Sequence, residues 1–273
     1  MAKIMKLFKT VRAFLTTYKL PASALATFSF ILLLPVSTQA QTLISPNYQT
    51  AMLELYTSQG CSSCPPAERW ISGFTDDAKF WKEIIPINFR VDYWDYLGWE
   101  DHYSDPAFSS RQRRYQQLGH SRTVATPGFI INGKGWHGWF YNKPLRAENL
   151  NNAGVITIKL DRLDDQYHAN LTFDKPSSIN EPLVANFAIM GFGLEDKITR
   201  GENRGKTFIQ DFVVLTHSKE ILRSDDEQHT ATSYLPDVSK HQAKQLAVVA
   251  WISKAADPSP IQAVGDWLEN KEK

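Results

Sequence analysis

Cysteine is scarce in this sequence: of 273 residues only Cys61 and Cys64 carry a thiol, and they stand three positions apart. A bridge between them would close a tiny loop and remove little entropy from the unfolded chain, so it would be a poor stabilising staple. A structural zinc site usually takes four ligands, and there is no second CxxC to supply the rest. Chemistry at the sulfurs is the leading reading that remains. After the first forty residues, no run is long and apolar enough to cross a bilayer, which needs roughly 20 residues. The chain also has no internal repeat and no low-complexity tract.

Acidic residues are absent from the first forty positions, which carry Lys3, Lys6, Lys9, Arg12 and Lys19. An apolar run of 14 residues, Pro21 to Leu34, follows this basic leader. Thr38 and Ala40 then supply small residues at the −3 and −1 positions of a cleavage site. The pattern predicts a signal peptide over residues 1–40, with an uncleaved N-terminal anchor as the alternative. The expected location is periplasmic or secreted, where a CxxC can be oxidised. Cleavage would leave 25 Lys and Arg against 29 Asp and Glu, a formal charge of −4. Such a balance argues against a nucleic-acid partner, and no membrane contact is expected once the signal is removed.

Local patterns predict the elements of the remaining chain. "AMLELY" from Ala51 reads as a strand, and the cysteines open a helix whose first turn tolerates Pro65 and Pro66. Residues 84–94 read as a second strand. Asp105 as N-cap, Pro106 at the first position and Gly119 as terminator mark a helix. "ATPGFIINGKGWHGWF" (125–140) reads as a hairpin turning on Asn132-Gly133, and residues 143–153 have room for a short helix. Beyond Gly154 several β-rich runs recur at fairly regular spacing, the first turning at Asp164-Asp165. They suggest a small antiparallel β-sandwich over 154–273.

At the head of a helix Cys61 would meet unpaired amides and the positive end of the helix dipole, which favour its thiolate. Cys61 is then the nucleophile. Cys64, nearly a turn further in, would resolve the mixed disulfide.

Strand, loop, CxxC, helix and a later proline-led hairpin follow one another in the order of a thioredoxin fold. The segments "LELYTSQGCSSCPPAE", "VDYWDYLGW", "DPAFSSRQRRY", "ATPGFIING" and "RGENRGKTF" resemble an exported bacterial thioredoxin-like family of unknown function, over roughly residues 50–270. The resemblance implies a thioredoxin-like α/β domain over 48–152, with a helical insertion at about 92–119, followed by the β-sandwich. It implies a cis Thr126-Pro127 bond beside the cysteines that positions an extended substrate. The alternative for Pro127 is a simple strand-start proline. It also implies that Glu54, on the strand leading to the CxxC, serves as a proton acceptor for Cys64; the alternative is a solvent-facing strand glutamate.

The insertion separates Cys61 from Pro127 by 66 positions. Asp92 and Trp94, with Tyr93, Asp95 and Trp99, could line a substrate groove, or the aromatics could simply pack the insertion onto the core. Arg111, Arg113 and Arg114 read as a solvated helix face. Gly201 and Gly205 in "TRGENRGKTF" read as turn residues, with contact to the redox face as the alternative.

Two functions are compatible with these residues. The first is a thiol–disulfide oxidoreductase acting without a cofactor on protein or small thiol substrates, with a separate redox partner. The second is a non-enzymatic binding protein, with copper(I) held by Cys61, Cys64 and a histidine such as His137, or His102.

Overall fold

The computed structural model describes residues 40–146, 150–163, 166–225 and 228–269. The basic leader and apolar run lie outside these residues, as does the turn Asp164-Asp165. Among the described residues no helix is long and apolar enough to cross a membrane.

Strand β1 (Gln41–Ile44) precedes β2 (Ala51–Thr57), which leads to α1 (Pro65–Ser72) and β3 (Ile84–Arg90). Helix α2 (Pro106–Gln117) follows, its N-cap Asp105 accepting the Ala107 amide at 2.7 Å. Strand β4 (Gly128–Ile131) turns through Asn132 and Gly133, both at positive φ, into a two-residue β5 (Lys134–Gly135). The chain then forms a 3₁₀ turn over Gly138–Tyr141 where the sequence predicts a strand. No helix forms in the described parts of 143–153.

The second half is built of strands: β6 (Val155–Leu163), β7 (Gln166–Asp174), β8 (Leu183–Phe192), β9 (Leu194–Lys197), β10 (Thr207–Gln210), β11 (Val213–Ile221), β12 (Arg223–Asp225), β13 (Gln228–Pro236), β14 (Gln245–Lys254) and β15 (Pro260–Trp267).

These strands correct the expected fold class. An α/β thioredoxin-like domain followed by a small antiparallel sandwich is not what forms. The described residues hold fifteen strands and two α-helices. One mixed eight-stranded sheet, ordered β15-β14-β8-β11-β3-β2-β4-β5, takes strands from both halves of the chain. The seam is β11 against β3, a parallel pairing at Val213 and Asn88.

The reason lies in the apolar runs of β8 ("LVANFAIMGF") and β14 ("QLAVVAWISK"), which are buried on both faces. A strand with two apolar faces needs a layer on each side. Ala185, Phe187, Ile189, Val248, Ala250 and Ile252 face a second sheet, ordered β1-β6-β7-β13-β12. Their alternates Ala188, Met190, Phe192, Ala247, Val249 and Trp251 join the core that also holds β2, β3, α1 and α2.

His217 of β11 packs against the core that holds β2 and β3, its ring stacked at 5.2 Å and 4° on Trp251 and its Nε2 3.3 Å from Asn186 Oδ1. Burial, reinforced by the nearby positive charges of Arg111 and Lys219, pushes the imidazole down to about 3. An unfolded histidine titrates near 6.5, so between pH 6.5 and 3 the unfolded chain takes a proton that the folded chain refuses. Stability from this residue is therefore complete above pH 6.5 and falls as pH drops, by up to about 1.4 kcal/mol per unit. H217Q is expected to flatten the dependence of urea-unfolding free energy on pH between 6.5 and 4.5. An unchanged slope would contradict the assignment.

Candidate functional site

Strand β2 runs directly into the cysteine loop. Thr57, Ser58, Gln59, Gly60 and Cys61 are all buried, although four of the five are polar or bear no side chain. Cys61 and Cys64 form a disulfide. The Cys64 amide donates to Cys61 O at 3.3 Å, closing a turn with Ser62 and Ser63 exposed at its tip. Cys64 is the N-cap of α1, and its carbonyl accepts the amides of Ala67 at 2.9 Å and Glu68 at 3.1 Å. Cys64 is fully buried, whereas Cys61 keeps 2% of its surface.

The first two positions of α1 are Pro65 and Pro66, which have no N–H to offer a thiolate. Amide stabilisation of Cys61 by the first helical turn is therefore weaker than the sequence suggests. A side chain stands in its place: Ser63 Oγ lies 3.4 Å from Cys61 Sγ. A hydroxyl there can donate to the thiolate once the disulfide is reduced.

The backbone of the cysteine loop is held from below by a buried ionic cluster. Arg90, at the end of β3 and without solvent exposure, donates from Nε to Asp101 Oδ2 at 2.9 Å and from Nη1 to Thr57 Oγ1 at 2.8 Å. Its Nη1 also pairs with Glu68 of α1. Burial alone would lower the guanidinium's pKa, but Asp101 and Glu68 hold it above its ordinary value. Asp101 Oδ2 in turn accepts the Gln59 amide at 2.7 Å. One guanidinium thus ties together β2, the first turn of α1 and the segment after β3. Sequence reasoning passed over this cluster; the available signal was an arginine ending the otherwise apolar run "IIPINFR".

The residues expected at the site fall into three groups. Trp94 and Thr126 meet: the indole Nε1 donates to Thr126 Oγ1 at 2.7 Å. Trp94 also lies against Gly60, where an added Cβ would stand 3.2 Å from Trp94 Cβ and 3.3 Å from its carbonyl oxygen. A side chain at position 60 would crowd Trp94, so the glycine favours this close approach to the cysteine loop. Trp94 therefore bridges the residue before Cys61 to the residue before Pro127. The Thr126–Pro127 peptide is cis, and Pro127 is buried.

Asp92 and Glu54 are engaged elsewhere. Asp92 accepts the Ser109 hydroxyl of α2, and its amide donates back to Ser109 Oγ at 3.3 Å. The neighbouring Tyr93 donates to Gln112 Oε1 at 3.1 Å, and burial pushes its phenol up to about 12. Glu54 is fully buried, and both its carboxylate oxygens are occupied. Arg111 donates to them from Nε at 2.8 Å and Nη2 at 2.7 Å, while Tyr56 and Tyr115 each donate a hydroxyl at 2.6 Å. Arg111 is thus a buried partner of Glu54, not part of a solvated face, while Arg113 and Arg114 are exposed. Arg111 Nη2 and the Tyr115 hydroxyl also reach Pro258 O, each at 3.0 Å, in the loop between β14 and β15.

The histidines form the third group. His137 is exposed beside the 3₁₀ turn, lining a cavity of about 80 Å³ with Pro127, Phe129 and Phe140. His102 pairs with Asp196 at 3.2 Å. Among the described residues no group of three or more His, Cys, Asp or Glu is arranged to hold a metal ion. Neither histidine completes a three-ligand set with the cysteines.

The chain belongs to the family described as protein of unknown function (DUF1223), whose model matches residues 52–253. A comparison with curated proteins gives no match. Among solved structures, the chain is similar to a structural-genomics target of Agrobacterium tumefaciens, at 21% identity over 84% of this chain and 98% of that one, with a TM-score of 0.53. It is also similar to HBP35 of Porphyromonas gingivalis, at 16% identity over 82% of this chain and 76% of that one, with a TM-score of 0.58. At these identities the likeness concerns the fold alone.

The Ser63 contact makes a prediction for the reduced protein. Hydrogen bonds to charged groups contribute about 1.5–3 kcal/mol, and 1.36 kcal/mol corresponds to one pKa unit. S63A is therefore expected to raise the midpoint of Cys61 alkylation by iodoacetamide by roughly one pH unit. An unchanged midpoint would remove Ser63 from the site.

Proposed function

We propose that this protein is an exported thiol–disulfide oxidoreductase working through the Cys61–Cys64 pair in a periplasmic or extracellular setting. The observation that carries this reading is the asymmetry of the disulfide. Both cysteines precede the body of α1, Cys64 as its N-cap, and of the two only Cys61 keeps any accessible surface, 2%, directly before the exposed Ser62 and Ser63. The leader sequence supports the location, because a disulfide of this kind persists in an oxidising compartment.

In the oxidised state a substrate thiolate attacks Cys61 Sγ. The Cys61–Cys64 bond breaks, and Cys64 departs as a thiolate that takes up a proton. A second substrate thiolate then attacks its own sulfur in the mixed disulfide and releases Cys61 as a thiolate. Two electrons have passed from the substrate dithiol to the protein, and the substrate leaves as a disulfide. A separate disulfide-bearing partner restores the pair by the same steps. In the opposite direction Cys61 attacks a substrate disulfide and Cys64 resolves the intermediate. Ser63 serves the Cys61 thiolate in either direction. The buried Arg90 cluster keeps the loop in place while its covalent bond is open.

This mechanism assigns different outcomes to the two cysteines. With oxidised glutathione, reduced C64S is expected to accumulate one glutathione adduct on Cys61, detected by mass spectrometry. C61S is expected to lose exchange activity, because Cys64 is fully buried. Exchange that survives in C61S would exclude the proposed nucleophile.

A further inference from the structure

The loop between β9 and β10 has a polar composition, and residues 199–202 and 204–207 are exposed. Asn203 is the exception, with no solvent exposure at all. Its Nδ2 donates to two backbone carbonyls of the cysteine loop, Gln59 O at 2.8 Å and Cys61 O at 3.0 Å. Its Oδ1 accepts Lys206 Nζ at 2.8 Å. Both donors of the amide are thus used on the residues flanking Gly60, and a lysine charge polarises the group from the other side.

Two further contacts bind the same hairpin to the same place. Asp196 of β9 accepts Gln59 Nε2 at 2.9 Å. Trp99 donates its indole N–H to Gln59 Oε1 at 2.9 Å, and Gly201, at φ +71°, lies where a Cβ would come within 3.2 Å of Trp99 Cβ. A strand hairpin more than 130 positions along the chain therefore grips Gln59 and the carbonyl of Cys61 itself.

The oxidised loop is restrained by its S–S bond whether or not Asn203 is present. The reduced loop loses that bond and relies on its non-covalent contacts, of which Asn203 supplies the two to the carbonyls of Gln59 and Cys61, beside the Asp101 contact to the Gln59 amide. Removing the amide therefore frees the reduced loop more than the oxidised one, and lowers the effective concentration of one thiol at the other. It would also leave two buried carbonyls without these donors. We propose that Asn203 is a positioning residue for the Cys61–Cys64 pair, holding the Cys61 backbone so that disulfide closure stays favourable after reduction. This assignment rests on the exchange reading for its physiological meaning, and its measurement is independent of that reading.

The test equilibrates the full protein, N203A and N203S with mixtures of reduced and oxidised dithiothreitol. One dithiothreitol gives two electrons and two protons to the protein disulfide and closes its own ring disulfide. Free thiols are then counted by mass shift after alkylation. N203A is expected to lower the equilibrium constant for protein disulfide formation about tenfold, which is about 30 mV toward a more oxidising potential. N203S, which retains one hydroxyl donor, is expected to lie between N203A and the natural protein, and it carries the test if N203A does not fold. A residue with only a structural role would lower the melting temperature of the oxidised protein and leave the constant unchanged. Constants equal to that of the natural protein in folded N203A or N203S overturn the proposal. Failure of the exchange reading has a different signature, since it shows in the natural protein as inertness toward glutathione while the variants still shift against dithiothreitol.

Discussion

The buried guanidinium of Arg90 is the interaction on which the cysteine site depends. It reaches Thr57 at the end of β2, Glu68 in the first turn of α1 and Asp101 beyond β3, and Asp101 passes the contact on to the Gln59 amide. A charge without solvent exposure is tolerated only when its partners are in place, and removing one partner of such a pair costs about 3–5 kcal/mol. The cluster therefore specifies one arrangement of strand end, helix start and insertion. The disulfide sits where these three meet. Polar residues 57–60 can be buried there because partners from other parts of the chain answer their backbone and side-chain groups.

The second half of the chain reaches the site by extending the first sheet. Because β11 pairs beside β3, the strands that follow in the sheet are carried across the molecule as one continuous layer. Two loops from that half then return to the first. The β9–β10 hairpin binds the cysteine loop through Asn203 and Asp196. The loop between β14 and β15 holds α2 through Pro258, and Asp257 pairs with His120 at 2.8 Å. Burial would raise the Asp257 carboxyl, but hydrogen bonds from His120 and Ser259 hold it at about 2. The pair of cysteines is thus embedded in contacts drawn from the whole fold.

The legible parts of the sequence were those set by neighbours along the chain. Asp105 and Pro106 mark the start of α2, Asn132-Gly133 marks a turn, and the spacing of Cys61 and Cys64 marks the head of a helix, because capping, positive φ and i to i+3 geometry are local properties. The expected thioredoxin-like domain with a separate sandwich went wrong where pairing is non-local. Alternation and apolar runs do not tell a strand of an independent sandwich from one that extends a distant sheet. Arg111 reads as part of a solvated face because it stands in a charged run with Arg113 and Arg114, which are exposed; its partner Glu54 lies 57 positions away. Asn203 lay inside a run with the composition of an ordinary turn, and its role became visible only when the Cys61 carbonyl was seen beneath it.

The central claim is that Cys61 and Cys64 exchange electrons rather than hold a permanent bridge. The most direct measurement is the reduction potential of the pair in the natural protein, obtained by equilibration with reduced and oxidised glutathione and counting of free thiols by mass. The account predicts a value between about −120 and −270 mV, the range of exchange catalysts. A value below about −300 mV, or a pair that glutathione does not reduce, would contradict it and leave the disulfide as a structural bond.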